Sequence, residues 1–176
     1  VTLLPSATEI CSAIGVEPVG VSHACDAPPP ATDLPSLTTS AVDPTGASED
    51  VDAAVAATSE DEDGVDAVDR DALADADPDL VVTQGVCEVC AVDRVVVEEA
   101  IDELGLDADV LTLDPHSLAD VLESVEEIGA ATGRTERAEE LVAELRQRVR
   151  QVREETASVE RRPRVAVLDW MDPVMV

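Results

Sequence analysis

Short apolar runs, built mostly of Val and Leu, recur along the chain: VTLL at 1–4, PVGVS at 18–22, SLTT at 36–39, DLVVTQ at 79–84, DVLTL at 109–113 and RVAVLDW at 164–170. A strand that faces water on one side alternates apolar with polar residues, whereas a strand covered on both faces reads as a continuous apolar run. Between the runs lie stretches with helical spacing, at 6–15, 47–58, 69–76, 92–104 and 117–132. Strands alternating with helices predict a parallel sheet covered on both faces, a Rossmann-like α/β lobe over residues 1–133.

Local signals support several of the helices. Ser6-Ala7-Thr8-Glu9 has the form of a capping box, with Gly15 as a stop, and Ser117 precedes an apolar stripe of Leu118, Val121, Leu122, Val125 and Ile128. Gly133 then separates that helix from a longer one over about 135–158, where Ala138, Leu141, Val142, Leu145, Val149 and Val152 repeat at helical spacing. Such a helix is longer than one small lobe needs, so residues 134–160 are expected to form a connector. Residues 163–176 are expected to open a second α/β lobe, truncated here, with RVAVLDW as its first strand.

Charge narrows the partners. Forty acidic residues face eleven basic ones, all of them Arg, for a formal net charge of −29. A surface of that sign repels nucleic-acid phosphate and anionic lipid, and it suits a halophilic source, where salt screens the self-repulsion. The acidic run SEDEDGVD at 59–66 reads as a solvated loop, since it lacks the Gly-x5-Glu continuation of a calcium loop. No run approaches the length of a membrane span, and no charged-then-apolar signal segment opens the sequence.

The chemistry-bearing residues cluster at strand exits, and in open parallel sheets ligands bind outside the carboxyl ends of the strands. Pro5 and Ser6 follow the first run, His23, Cys25 and Asp26 the second, Gly85, Cys87 and Cys90 the fourth, and His116 the fifth. If the strands are parallel, these exits share one edge. Cys11 falls inside a helical stretch and reads as a small core residue. Cys87 and Cys90 leave several readings open. They lack the second pair that a zinc ribbon needs, and Glu88 between them opposes the low thiol pKa of a redox centre. A disulfide, or a metal site made with Cys25 and His23, also remains. No phosphate loop, dinucleotide fingerprint or nucleophile elbow is present, so no enzyme motif is found.

The stretches LLPSATEI, GVSHACDAPP, PDLVVTQ with VCEVCAV, LDPHSLADVLESVEEIGAATGRTERAEELVAELR and RPRVAVLDWMDP resemble the cobalamin-type and iron-siderophore-type substrate-binding proteins of ABC transporters, the VCEVC and SHACD elements being similar to a cobalamin-binding subgroup. The resemblance implies two α/β lobes joined by one long helix, a ligand in the cleft between them, no catalysis and no required cofactor. It implies that Pro5, Ser6, His23, Cys25, Asp26, Gln84, Gly85, Cys87, Cys90 and His116 give the first lobe's share of that cleft, with Trp170, the only aromatic residue, beginning the second lobe's. The ligand implied is a corrinoid or ferric chelate, and N and S donors suit a borderline metal centre. The partner implied is a membrane permease docked through Glu49 or Asp50, with the protein itself a monomer that does not span the membrane. The family implies an extracytoplasmic, cell-surface location. The alternative is a cytoplasmic metal- or corrinoid-binding protein or metal-dependent enzyme, with Cys25, Cys87, Cys90 and His23 as metal ligands.

Overall fold

The structure, a computed structural model, describes residues 1–43, 45–58, 66–85, 92, 94–167, 170–171 and 174–175. They divide into two units, residues 1–142 and 143–176.

The first unit is built on a parallel sheet. Strand β3 (Leu80–Gln84) pairs in parallel with β4 (Asp109–Leu113), Leu80 opposite Asp109. Parallel bridges Thr2–Val82, Thr2–Val21 and Val21–Ser36 carry the pairing to the other side. Beyond Ser36, β1 (Thr38–Ser40) takes an antiparallel edge strand, β2 (Asp66–Val68). Across the sheet the order is therefore 66–68, 36–40, 21, 2, 80–84, 109–113. The chain runs outward from residue 2 in one direction and then, from β3, in the other, which makes the sheet doubly wound.

Helices cover both faces. Helix α3 (Arg70–Ala76) contacts α4 (Arg94–Leu104), and their Leu73, Val97, Ala100 and Ile101 close over Leu3, Leu37, Val68 and Val81. On the other pairing, α1 (Pro5–Ala13) contacts α5 (Leu118–Ala131), where Ala7, Cys11, Leu122, Val125 and Ile128 are buried. Helix α2 (Ser48–Thr58) carries Glu49 and Asp50 in its first turn. The expected caps fare differently. Ser117 caps α5, its hydroxyl accepting the Asp120 N–H, but α1 starts at Pro5 with Leu4 as its uncapped N-cap. Proline at the first helical position has its φ preset and lacks the N–H that a cap would satisfy, so the Ser6 box is not needed. Gly15 and Gly133, at φ +75 and +69, end α1 and α5 in the left-handed region as expected.

Helix α6 (Thr135–Ala157) is one uninterrupted helix of 23 residues, about 35 Å long. Its start belongs to the first unit, where Ala138 and Val142 are buried. The second unit holds the rest of α6 and a short antiparallel pair, β5 (Trp170–Met171) with β6 (Val174–Met175). The strand expected from residue 164 starts later than the sequence suggests. Residues 164–167 carry no strand pairing, and Val165 and Val167 are each 75% exposed. An apolar run becomes a buried strand only where neighbours pair with it, and among the described residues none does.

Candidate functional site

The double winding creates a switch point between the first strand segment and β3, where neighbouring connections leave the sheet in opposite directions and open a crevice at the carboxyl edge. Pro5 and Ser6, at the start of α1, follow the strand segment on one side of it, and Gln84 and Gly85 follow β3 on the other. Gly85 is held close: its N–H donates to the Leu113 carbonyl at 2.8 Å, and a Cβ there would stand 3.3 Å from Thr112 Cγ2. Thr83, fully buried, donates to the Val92 carbonyl at 2.7 Å and so ties the far end of the loop after β3 to the strand. Cys87 and Cys90, both expected in that loop, lie outside the described residues.

His23 and Cys25 leave the same strand but point to different surroundings. Cys25 is 8% exposed, packs with Val21, Ala31 and Leu34, and hydrogen-bonds through Sγ to Thr8 Oγ1 at 3.1 Å. Thr8 Oγ1 is in turn 2.7 Å from Thr2 Oγ1, so the thiol ends a buried hydroxyl chain under α1. His23 keeps an imidazole with partial access: Nδ1 lies 2.8 Å from Thr38 Oγ1, and Nε2 lies 3.9 Å from Asp66 Oδ1. Asp26 is exposed in the same loop.

His116 lies on the same edge, three strand spacings from His23 or about 14 Å. It is exposed, with Nε2 3.1 Å from Asp114 Oδ1 and its backbone N–H donating to Asp120 Oδ2 at 2.9 Å. The edge therefore assembles the predicted exits as a row, not as one cluster. Among the described residues no three of His, Cys, Asp and Glu come together in a way that could hold a metal ion. Trp170 falls in β5 of the second unit. Glu49 and Asp50 are exposed on α2. A separate cleft of about 370 Å³ opens at the opposite, amino edge of the sheet, among Val16, Pro18, Ala76, Pro78 and Leu80, and holds none of the predicted ligand residues.

The start of α5 next to His116 carries an acid-sensitive cap. Hydrogen bonding from the Ser117 hydroxyl, then from the His116 N–H, holds the Asp120 carboxyl below the ordinary carboxylate range. A carboxyl lowered by folding stabilises the fold above its unfolded pKa of about 4, and that contribution fades as pH falls through the lowered value. Asp120→Asn is therefore expected to unfold at a lower temperature than the native protein at about pH 6, with the gap closing toward about pH 2. Thermal melts across that range test it; a gap that does not change with pH would rule out the carboxylate as its source.

Sequence comparison decides the family. Residues 1–175 match the model of the family described as periplasmic binding protein. The chain belongs to that family. Solved structures of similar fold include the periplasmic heme-binding protein BhuT in complex with two hemes, at TM-score 0.64 and 16% identity over 89% of this chain and 49% of that one. They also include the periplasmic heme-binding protein RhuT from Roseiflexus sp. RS-1, at 0.63 and 18% over 92% and 51%. An ABC transporter substrate-binding protein from Listeria monocytogenes EGD-e matches at 0.56 and 20% over 91% and 50%. This periplasmic binding protein chain spans about half the length of these structures. No curated protein matches its sequence. No helix among the described residues is long and apolar enough to cross a membrane.

The residues that sequence reasoning missed are Thr38, Ser22, Thr8 and Asp66, the partners that orient His23 and Cys25. One signal for Thr38 was available: a hydroxyl inside an otherwise apolar strand run must find a partner, because a buried unsatisfied hydroxyl is costly.

Proposed function

We propose that this chain is the first-lobe part of the substrate-binding component of an ABC importer, and that its cargo is a metal chelate, a corrinoid or a ferric complex. The reading rests on one observation above the rest: the carboxyl edge of a doubly wound sheet, opened at its switch point, presents Pro5, Ser6, Gln84 and Gly85 with an accessible imidazole, His23, two strands away. Family membership and the fold shared with proteins whose structures hold heme support it, as does a protein bound to acinetobactin and ferric iron. On this reading the protein is extracytoplasmic and not a catalyst, Glu49 or Asp50 on α2 meets the permease, and the VCEVC and SHACD elements favour a corrinoid. A tight site formed by Cys25, Cys87, Cys90 and His23 is disfavoured, since the Cys25 thiol is already engaged with Thr8.

Absorbance titration of the intact protein with aquocobalamin, hemin and a ferric siderophore tests the proposal. One probe should give a saturable, one-to-one spectral change. His23→Ala should weaken that probe at least tenfold, about 1.4 kcal/mol, while the fold persists. Flat titrations with all three probes would sink the reading. Elemental analysis of protein purified without chelators serves the competing metal-site reading, which requires about one equivalent of metal with no added ligand.

A further inference from the structure

Thr38 is 2% exposed, and its hydroxyl is fully used. It donates to Ser22 Oγ at 3.2 Å, accepts the His23 backbone N–H at 3.0 Å, and lies 2.8 Å from His23 Nδ1. A hydroxyl has one proton to give and two lone pairs to receive with. With that proton on Ser22 and one lone pair on the His23 backbone N–H, the remaining lone pair can take a proton from Nδ1, which makes the ring the Nδ1–H tautomer. Ser22 is itself fixed, since its Oγ also accepts the Ala24 N–H at 3.2 Å, and it is 4% exposed.

A neutral imidazole with Nδ1 protonated carries its free lone pair on Nε2. Among the described residues Nε2 has no hydrogen-bond partner, and the Asp66 carboxylate 3.9 Å away places negative charge beside it that would attract a cationic centre. A histidine that binds a metal ordinarily donates its other ring N–H to a fixed acceptor, which sets the tautomer and the ring orientation. Here that acceptor is built into strand β1, on the neighbouring strand of the sheet.

From this geometry we infer that Thr38 is a positioning residue, which holds His23 as the Nδ1–H tautomer and thereby offers Nε2 to the metal centre of the cargo. The tautomer follows from the Thr38 proton pointing to Ser22; its use toward a cargo rests on the function proposed above. Asp66, in β2, adds the local negative charge.

Two measurements on the intact protein separate those layers. Long-range proton–nitrogen correlation spectra of labelled, ligand-free protein read the His23 tautomer directly, with His23→Gln used for assignment. Native protein and Thr38→Ser should show a single Nδ1–H form, and Thr38→Val should lose it. Titration with aquocobalamin and with hemin then reads the consequence. Thr38→Val should bind the responding probe about 10- to 100-fold more weakly, with the axial-ligand bands of the bound probe shifted, and Thr38→Ser should restore both. A Thr38→Val protein that keeps the Nδ1–H form overturns the positioning role. A native protein with the fixed tautomer that binds neither probe confirms the tautomer but overturns the cargo role. Equal loss in Thr38→Ser and Thr38→Val, with unshifted bands, assigns Thr38 to packing alone and overturns the inference.

Discussion

Leu37→Ala is expected to cost about 2–5 kcal/mol of stability, the range for emptying a fully buried leucine site, and to loosen the candidate site with it. Leu37 is 0% exposed and packs in the core that α3 and α4 close over the sheet. Its backbone also holds the sheet together beside Thr38: its N–H donates to the Val21 carbonyl, and its own carbonyl accepts the Asp69 N–H, both at 2.8 Å. The sharper test uses Gly20. A Cβ on Gly20 would collide with Leu37 Cδ1 and stand 3.3 Å from Leu37 Cγ and Cδ2, and a buried leucine has nowhere to turn. Gly20→Ala alone should therefore destabilise by about 1–3 kcal/mol through overpacking. In the double variant the new methyl enters space that the leucine has left. The combined loss should then fall short of the sum of the singles by at least about 1 kcal/mol, measured from denaturant midpoints with unchanged slopes. Losses that add within about 0.5 kcal/mol would show that the two positions do not share that space.

How far the sequence spoke for the fold can be followed through particular elements. The Val and Leu runs at 80–84 and 109–113 read as strands buried on both faces; β3 and β4 pair there in parallel, β3 buried, β4 only half-buried at the end of the sheet. Ser117 declared the start of α5 because a side-chain oxygen three residues before an N–H is a local event. Asp66–Val68 gave no such sign. Three residues beside an acidic run become β2 only because an edge is open next to β1, and that is decided by tertiary contact. The same division holds at the site. The strand exits were legible, since topology alone sends them to one edge. The partners of His23 were not: Thr38 lies fifteen residues away and reaches the ring only through the register of two neighbouring strands. Nor could spacing show that Cys25 turns inward to Thr8 while His23, two residues earlier, keeps partial access.

Stability should rise by several kcal/mol as NaCl increases from about 0.01 M to about 1 M, because the charge of the first unit is almost entirely of one sign. Residues 1–142 hold 34 Asp and Glu against 4 Arg, a formal −30, while residues 143–176 hold 6 against 7, a formal +1. Two like charges about 10 Å apart in water repel by about 0.4 kcal/mol, and each carboxylate has several such neighbours. At about 0.01 M the screening length is about 30 Å, so repulsion reaches across the unit; at about 1 M it is about 3 Å and the repulsion is largely gone. Salt also weakens the ion pairs, which pushes the other way. Arg70–Glu103, Arg94–Glu98 and Arg137–Glu140 are all surface pairs, with distances of 3.0, 2.6 and 3.2 Å. Such pairs contribute about 0.2–1 kcal/mol each, so their loss is smaller than the relief of repulsion and the net sign is stabilising. Urea unfolding at matched ionic strength in chloride and in sulfate separates the causes. Screening predicts equal gains from the two salts, whereas an added sulfate gain would report strengthened apolar burial. A chain whose stability stays flat or falls with salt would not carry its acidic surface as an adaptation to a saline medium, and the halophilic reading of its composition would go with it.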